Sequence, residues 1–202
     1  MKNFLIKLKN TISNFKYPMF KSDTIVSFNL IKKLFILYWI FALLGHYAEI
    51  VWSKFHHFID NGYIWHPNMP TIIPLASPYG IGAVAIIVIV WPLVKKYNVK
   101  PLTVFILNII ITGIIEYLCA LYVVMAYGSN LFWDYSNQRF NINGYVSLES
   151  VMVFSVAATL FLYLFYPVCN KAIHRLDQQQ LNILFWILFT IHAIDLLYLA
   201  IK

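Results

Sequence analysis

Five carboxylates stand where ordinary surface acids do not. Glu49 lies about one helical turn inside the end of a long apolar stretch, and Glu116 lies near the middle of another. Asp134 falls in a polar, aromatic run between two apolar stretches, Glu149 just inside the start of the next, and Asp195 within the last. Carboxylates set in or beside apolar surroundings can bind a cation, relay protons, or work as an acid and base whose pKa values are pushed apart by burial. Two histidines extend the set. His46 with Glu49, and His192 with Asp195, share a helical face at i, i+3. Such pairs could hold a transition metal, but two cysteines make no zinc motif. Hydrogen-bonded pairs between helices are the expected use, and no metal or other cofactor is implied.

The elements that position these groups must lie in lipid. Of 202 residues, 61% are hydrophobic and 11% charged, with a mean hydropathy of +0.71; a soluble domain normally carries about 25% charged residues. A hydrocarbon core of about 30 Å asks for about 20 apolar residues per helical crossing. Five stretches qualify: 34–52, 71–94, 102–127, 146–168 and 181–201. The expected fold is therefore an all-α integral membrane protein, a bundle of about five transmembrane helices. The second stretch opens with Pro74, Pro78, Gly80 and Gly82, so it is expected to begin as irregular backbone and to become helical near Ile81. Irregular backbone at membrane depth survives only when protein buries it or it lines a wet cavity.

Lysine and arginine set the orientation. With the N-terminus inside, twelve of the fifteen fall on the cytoplasmic side, and only Lys54, Arg139 and Lys202 fall outside. This predicts an N-in, C-out topology in which the five carboxylates and all histidines except His174 gather in the outer half. It also makes the net charge of +7 topogenic, which sets nucleic-acid binding aside. Residues 1–32 read as a cytoplasmic basic tail, with Phe4, Leu5, Leu8, Ile12 and Phe15 at helical spacing among lysines. That pattern suits an amphipathic helix on anionic lipid or a frayed end. Residues 33–202 form the transmembrane domain, and no internal repeat is legible.

A central charge costs roughly 2.5–3.5 kcal/mol on insertion scales, so Glu116 must face the bundle interior and be protonated, partnered or wet. The run from Trp133 to Gly144 requires its own account. An interfacial belt explains Trp52, Trp65 and Trp91, but not Asp134-Tyr135-Ser136 followed by Asn141-Ile142-Asn143-Gly144. Asp134 and Asn141 can bond nearby backbone, and Gly144 admits a positive φ before a helix. A folded lid over the outer mouth follows. It either grips a ligand or locks helix ends together.

These residues carry a resemblance. Gly45 to Glu49, Asn61-Gly62-Tyr63 with Pro67, Pro78-Tyr79-Gly80-Ile81-Gly82, Glu116-Tyr117, Trp133 to Ser136 and Phe140 to Gly144 resemble a group of small bacterial membrane proteins called ABC-transporter permeases of type IV, or CmpB-like. The resemblance runs from about Phe35 to Pro167. The chain departs from that group at Asn61, where arginine is usual, in a longer 67–78 segment, and around Phe154-Ser155, where a Trp-Gly pair is expected. The resemblance implies a multi-pass protein of the bacterial plasma membrane, with an outer-face site built from Glu49, Glu116 and the Asp134 loop; taken with the residues themselves, the candidate site comprises Glu49, Tyr79, Glu116, Trp133, Asp134, Tyr135, Asn141 and Glu149.

Two functions remain open at this point. The first is a permease-like component that binds a small solute or cation and works with a separate ATPase subunit, since the chain has no P-loop of its own. The second is a membrane enzyme at the outer leaflet using Glu49, Asp134 or Glu149 as acid or base, though no nucleophile elbow or metalloprotease motif is present. A non-catalytic scaffold for another membrane protein is the third, blander reading.

Overall fold

A computed structural model of the chain describes residues 28–60, 73–130 and 132–201, with the side chains of the first block given through residue 51 and at Lys54. Residues 1–27, where most of the basic tail falls, and 61–72, which include Asn61-Gly62-Tyr63, Trp65, His66 and Pro67, lie outside the described residues, as do the side chains of Trp52, His56 and His57. Among the described residues, five helices are long and apolar enough to cross a membrane. We label them α1 (Phe28–Asp60), α2 (Ser77–Tyr97), α3 (Pro101–Tyr127), α4 (Leu148–His174) and α5 (Gln178–Ile201). A two-residue ribbon, β1 (Asn141–Ile142) against β2 (Val146–Ser147), sits between α3 and α4, with Asn141 opposite Ser147 and Ile142 opposite Val146.

The helix boundaries follow local chemistry. α2 begins at Ser77, earlier than the expected Ile81. Pro78 falls in its first turn, where the missing N–H would be unsatisfied anyway, so among the described residues of this stretch 73–76 are the irregular ones. Ala76 N–H, just ahead of the helix, donates to Ala42 O at 3.1 Å, which satisfies one backbone group of that irregular stretch. At the other end, Asn98 takes a left-handed φ of 49°, and Pro101 then opens α3. α4 is started by Ser147, which accepts from Ser150 N–H while Ser150 reaches back to Ser147 N–H.

α2 and α4 share a device that the sequence did not announce. Each contains one π-helical turn, Ile86–Val90 and Phe161–Phe165, followed at once by an aromatic–proline pair, Trp91-Pro92 and Tyr166-Pro167. A proline inside a helix collides with the carbonyl four residues back. Those carbonyls belong to Val88 and Tyr163, both within the π turns, so the widened turn takes up the collision without breaking the helix. The two aromatic rings meet edge to face at 5.5 Å, and both are fully buried. Around them lies the apolar core: Ile36, Leu37, Ile87, Val90, Val104 and Leu162. α5 lies more peripherally, and Phe185 stacks its edge on Phe28 and Phe35 of α1. Cys119 and Cys169 are free thiols.

The core thus fills the end of the bundle that carries Lys95, Lys96, Lys171 and Arg175. The opposite end, under the 132–147 loop, holds the buried Glu116, Ser147 and Ser150.

Candidate functional site

α1 and α2 approach so closely because each offers the other a glycine. A Cβ at Gly45 would lie 2.3 Å from Tyr79 Cγ, and one at Gly80 would lie 2.7 Å from the Tyr38 carbonyl oxygen. Tyr79 is thereby seated against α1, its ring also edge-on to Phe154 of α4 at 5.8 Å. From that seat its hydroxyl donates to Glu49 Oε1, one turn along α1 from Gly45. The Tyr38 hydroxyl likewise donates to Ser77 Oγ at 3.0 Å.

Glu116 projects from α3 and is only 7% exposed. Ser150 Oγ donates to its Oε2 at 2.8 Å, and the Tyr135 hydroxyl adds a second hydrogen bond. Glu116 is near enough to Glu49 for the two carboxyls to feel each other's charge. Tyr79 is close to both carboxyls and to Tyr135. The cluster therefore joins α1, α2, α3, the start of α4 and the loop.

The loop that delivers Tyr135 is held by its own polar residues. Asp134 Oδ1 accepts from Ser136 N–H at 2.9 Å and from Ser136 Oγ at 2.6 Å. Those two donors hold the exposed Asp134 carboxyl below its ordinary pKa. Asn141 donates to the carbonyls of Ser136 and Gln138 and accepts from Gly144 N–H at 3.0 Å. Gly144 takes the left-handed φ of 70° that the turn requires. Trp133 closes the loop, its indole N–H donating to Tyr145 O at 2.9 Å, while Tyr135 N–H donates to Gly144 O. Asn143 anchors the tip to the Tyr117 hydroxyl of α3 at 2.9 Å.

Of the eight residues expected at the site, Glu49, Tyr79, Glu116 and Tyr135 come together. Trp133, Asp134 and Asn141 build the loop behind Tyr135, and Glu149 stays exposed in the first turn of α4, where a carboxylate favours the helix dipole. Three residues that sequence reasoning passed over belong with the cluster. Ser147 Oγ donates to Gln138 Oε1 and caps Ser150 N–H, so Gln138, Ser147 and Ser150 wire the loop to Glu116. The legible signal was Ser-x-x-Ser directly before an apolar run, a variant of the capping box.

Of the histidine pairs, His192 stays near enough to Asp195 to feel its charge. Glu49 bonds Tyr79, while His46 is buried beside the Tyr47 ring at 5.5 Å. Asp195, 3% exposed, accepts from Ile73 N–H at 3.3 Å. His192 lies edge-on to Phe35, Tyr38 and Trp39. Among the described residues no group of three or more His, Cys, Asp or Glu could hold a metal ion.

The family model described as putative ABC-transporter type IV matches residues 36–200, spanning the bundle from α1 to α5 and the whole cluster. The chain belongs to that family. It is a multi-pass membrane protein of the type IV group, as the five apolar helices require. No curated protein and no solved structure matches the chain.

Proposed function

We propose that this type IV family member is the membrane-spanning component of a transport system in the bacterial plasma membrane, and that it takes a small solute or cation at the cluster of Glu49, Tyr79, Glu116 and Tyr135. One observation carries the reading. Carboxyls from two different helices, α1 and α3, meet within reach of each other's charge, each hydrogen-bonded by a tyrosine hydroxyl. Two like charges in a poorly solvated place disfavour each other, so the arrangement favours a positively charged occupant or a shared proton. The irregular 73–76 entry to α2 beside this cluster also fits, because discontinuous helices commonly frame transporter sites.

Orientation follows from the basic end. Lys95, Lys96, Lys171 and Arg175 belong in the cytoplasm by the positive-inside rule, which faces the loop and the cluster outward. The inner connections, 98–100 and 175–177, are short, so an ATPase would have to dock on these and on the N-terminal segment together. The enzyme alternative has less support, because Asp134 is engaged by Ser136 and Glu149 stands apart from the cluster.

The test is affinity purification of the tagged full chain from native membranes, with mass spectrometry of what accompanies it. A stoichiometric ATPase is expected; repeated isolation of the intact chain alone overturns the ATP-driven part of the proposal. For the site itself, small amines should raise the Tm of the purified protein, and Glu116→Gln should fold yet lose that response. Equal stabilisation of both proteins removes Glu116 from the site.

A further inference from the structure

One to two turns deeper than Glu116, the seam between α3 and α4 holds a second polar group that the outer cluster does not use. Asn108 and Ser155 are completely buried, and Thr112 and Thr159 are half-buried beside them. At about 1.5 Å per residue, Asn108 lies about 12 Å along α3 from Glu116, and Thr112 about 6 Å.

The bland account of such residues is glue: Ser, Thr and Asn hydrogen-bond across transmembrane helices. Counting protons argues against it. Each hydroxyl has one proton, and here each is spent on the residue's own helix. Thr112 Oγ1 donates to Asn108 O at 2.7 Å, Thr159 Oγ1 to Ser155 O at 2.7 Å, and Ser155 Oγ to Val151 O. Thr112 Oγ1 and Ser155 Oγ then face each other at 3.3 Å, and either could donate to the other only by giving up the shorter bond to its own helix. Within this group, the donor that reaches from α3 to α4 is Asn108 Nδ2, bonded to Thr159 Oγ1 at 3.0 Å. That bond also fixes the amide's orientation, since Thr159, its proton already committed, can only accept. The carbonyl Oδ1 of Asn108 is left buried with no donor. Three neutral oxygens in this seam therefore want a positive partner: Asn108 Oδ1, Thr112 Oγ1 and Ser155 Oγ.

We infer that this seam is a binding site for a sodium-sized monovalent cation. The charge argument excludes a divalent ion, whose sites are built with carboxylates; every oxygen here is neutral. The size argument rests on the 3.3 Å oxygen pair. Two ligands at right angles around an ion at about 2.3 Å, the short end of the range for Ca2+, are separated by about that much, and Na+ has nearly the radius of Ca2+. The flanking seam is apolar, with Leu107 and Ile111 packed against the core, so an ion here would exchange through the polar end that Glu116 occupies. This site is distinct from the cluster proposed above and does not depend on it.

The experiment is thermal denaturation of the purified full chain titrated with NaCl, with choline chloride holding ionic strength constant. A Tm that climbs and saturates with Na+ is expected, because a ligand that binds only the folded state stabilises it by mass action. Ser155→Ala and Thr159→Val should each shift the Na+ midpoint upward by about tenfold or more. Thr159→Ser, which retains the oxygen, should keep it. Glu116→Gln should also keep the Na+ response, which separates failure of this site from failure of the outer one. A Tm indifferent to Na+ overturns the inference, as does an equal response to choline or a response to K+ alone. Loss of the Na+ response in Glu116→Gln would move the ion to the outer cluster and likewise overturn it.

Discussion

The α1/α2 crossing and the α3/α4 seam each bring one carboxyl to the same end of the bundle, by opposite means. In the first, contact is aromatic on glycine: Tyr79 fills the notch at Gly45, Tyr38 the notch at Gly80, and Glu49 receives a single hydroxyl from a ring that has little room to move. In the second, contact is a column of hydroxyls and an amide, and Glu116 receives a serine that is itself tied to the loop through Ser147 and Gln138. The first carboxyl is positioned by packing and the second by hydrogen bonds. Packing tolerates almost no change of volume, whereas a hydrogen-bonded group tolerates replacement by another group that still accepts. Substitutions should therefore be punished for size in one seam and for lost polarity in the other.

The largest effect is expected at the crossing. Gly80→Ala sets a methyl against the Tyr38 backbone oxygen, which cannot swing away as a side chain can, and Gly45→Ala drives Tyr79 from its seat. Overpacking of this kind costs about 1–3 kcal/mol, enough to lower the Tm by several degrees and to reduce the folded yield in membranes. A wild-type Tm for both variants would show that the helices can part, and the contrast between the seams would fail.

At Glu116 the outcome should depend on what replaces it. Glu116→Leu leaves the Tyr135 hydroxyl facing an apolar group, while Ser150 can fall back on the Ser147 carbonyl at 2.9 Å; a stranded buried donor or acceptor costs about 1–3 kcal/mol. Glu116→Gln keeps an oxygen that accepts from one hydroxyl and an amide N–H that can donate to the other, and should melt close to wild type. Equal destabilisation by Leu and Gln would mean that the charge, rather than the hydrogen bonds, holds the seam. Tyr79→Phe gives the reciprocal case at the crossing. It keeps the ring in its notch and removes only the hydroxyl on Glu49, so its cost should be smaller, about 0.5–1.5 kcal/mol.

The same contrast explains what could be read in the residues. Five crossings were legible because lipid demands long apolar runs, and an inward, partnered Glu116 was legible because an isolated charge there is expensive. The loop chemistry of Asp134, Asn141 and Gly144 was legible because those side chains act on backbone a few residues away. What escaped depends on partners distant in the chain. Nothing near Gly45 says that a ring 34 residues later will rest on it, and the early start of α2 was hidden by prolines and glycines that a first turn and a close crossing accommodate. The π turns in α2 and α4 left a trace only as prolines inside apolar runs, which could equally have ended the helices. Grouping the loop residues with the carboxyls rested on shared location. Hydrogen bonding sorts them into Tyr135, which reaches Glu116, and Trp133, Asp134 and Asn141, which hold the loop together.

The smallest effect belongs to that loop and depends on pH. Asp134 titrates below its ordinary value because Ser136 donates to it twice from hydroxyl and backbone. A carboxyl with a lowered folded-state pKa adds stability above its unfolded value, about 3.9 for aspartate, and loses it as pH falls through the lowered value. The turn at Ser136 should therefore be fully protected near neutral pH and open progressively on acidification below about pH 4. Asp134 is exposed, so water competes for it, and the opening should stay local without melting the bundle. Hydrogen exchange at the Ser136 amide, corrected for its intrinsic rate, measures this directly. Asp134→Asn, which can still accept but cannot titrate, should exchange faster than wild type at neutral pH and at the same rate once wild type is protonated. Protection that stays flat on acidification would remove the carboxylate from the turn. Since the turn holds Tyr135, and Tyr135 reaches Glu116, it would also loosen the one chain of contacts by which the loop governs the buried acid.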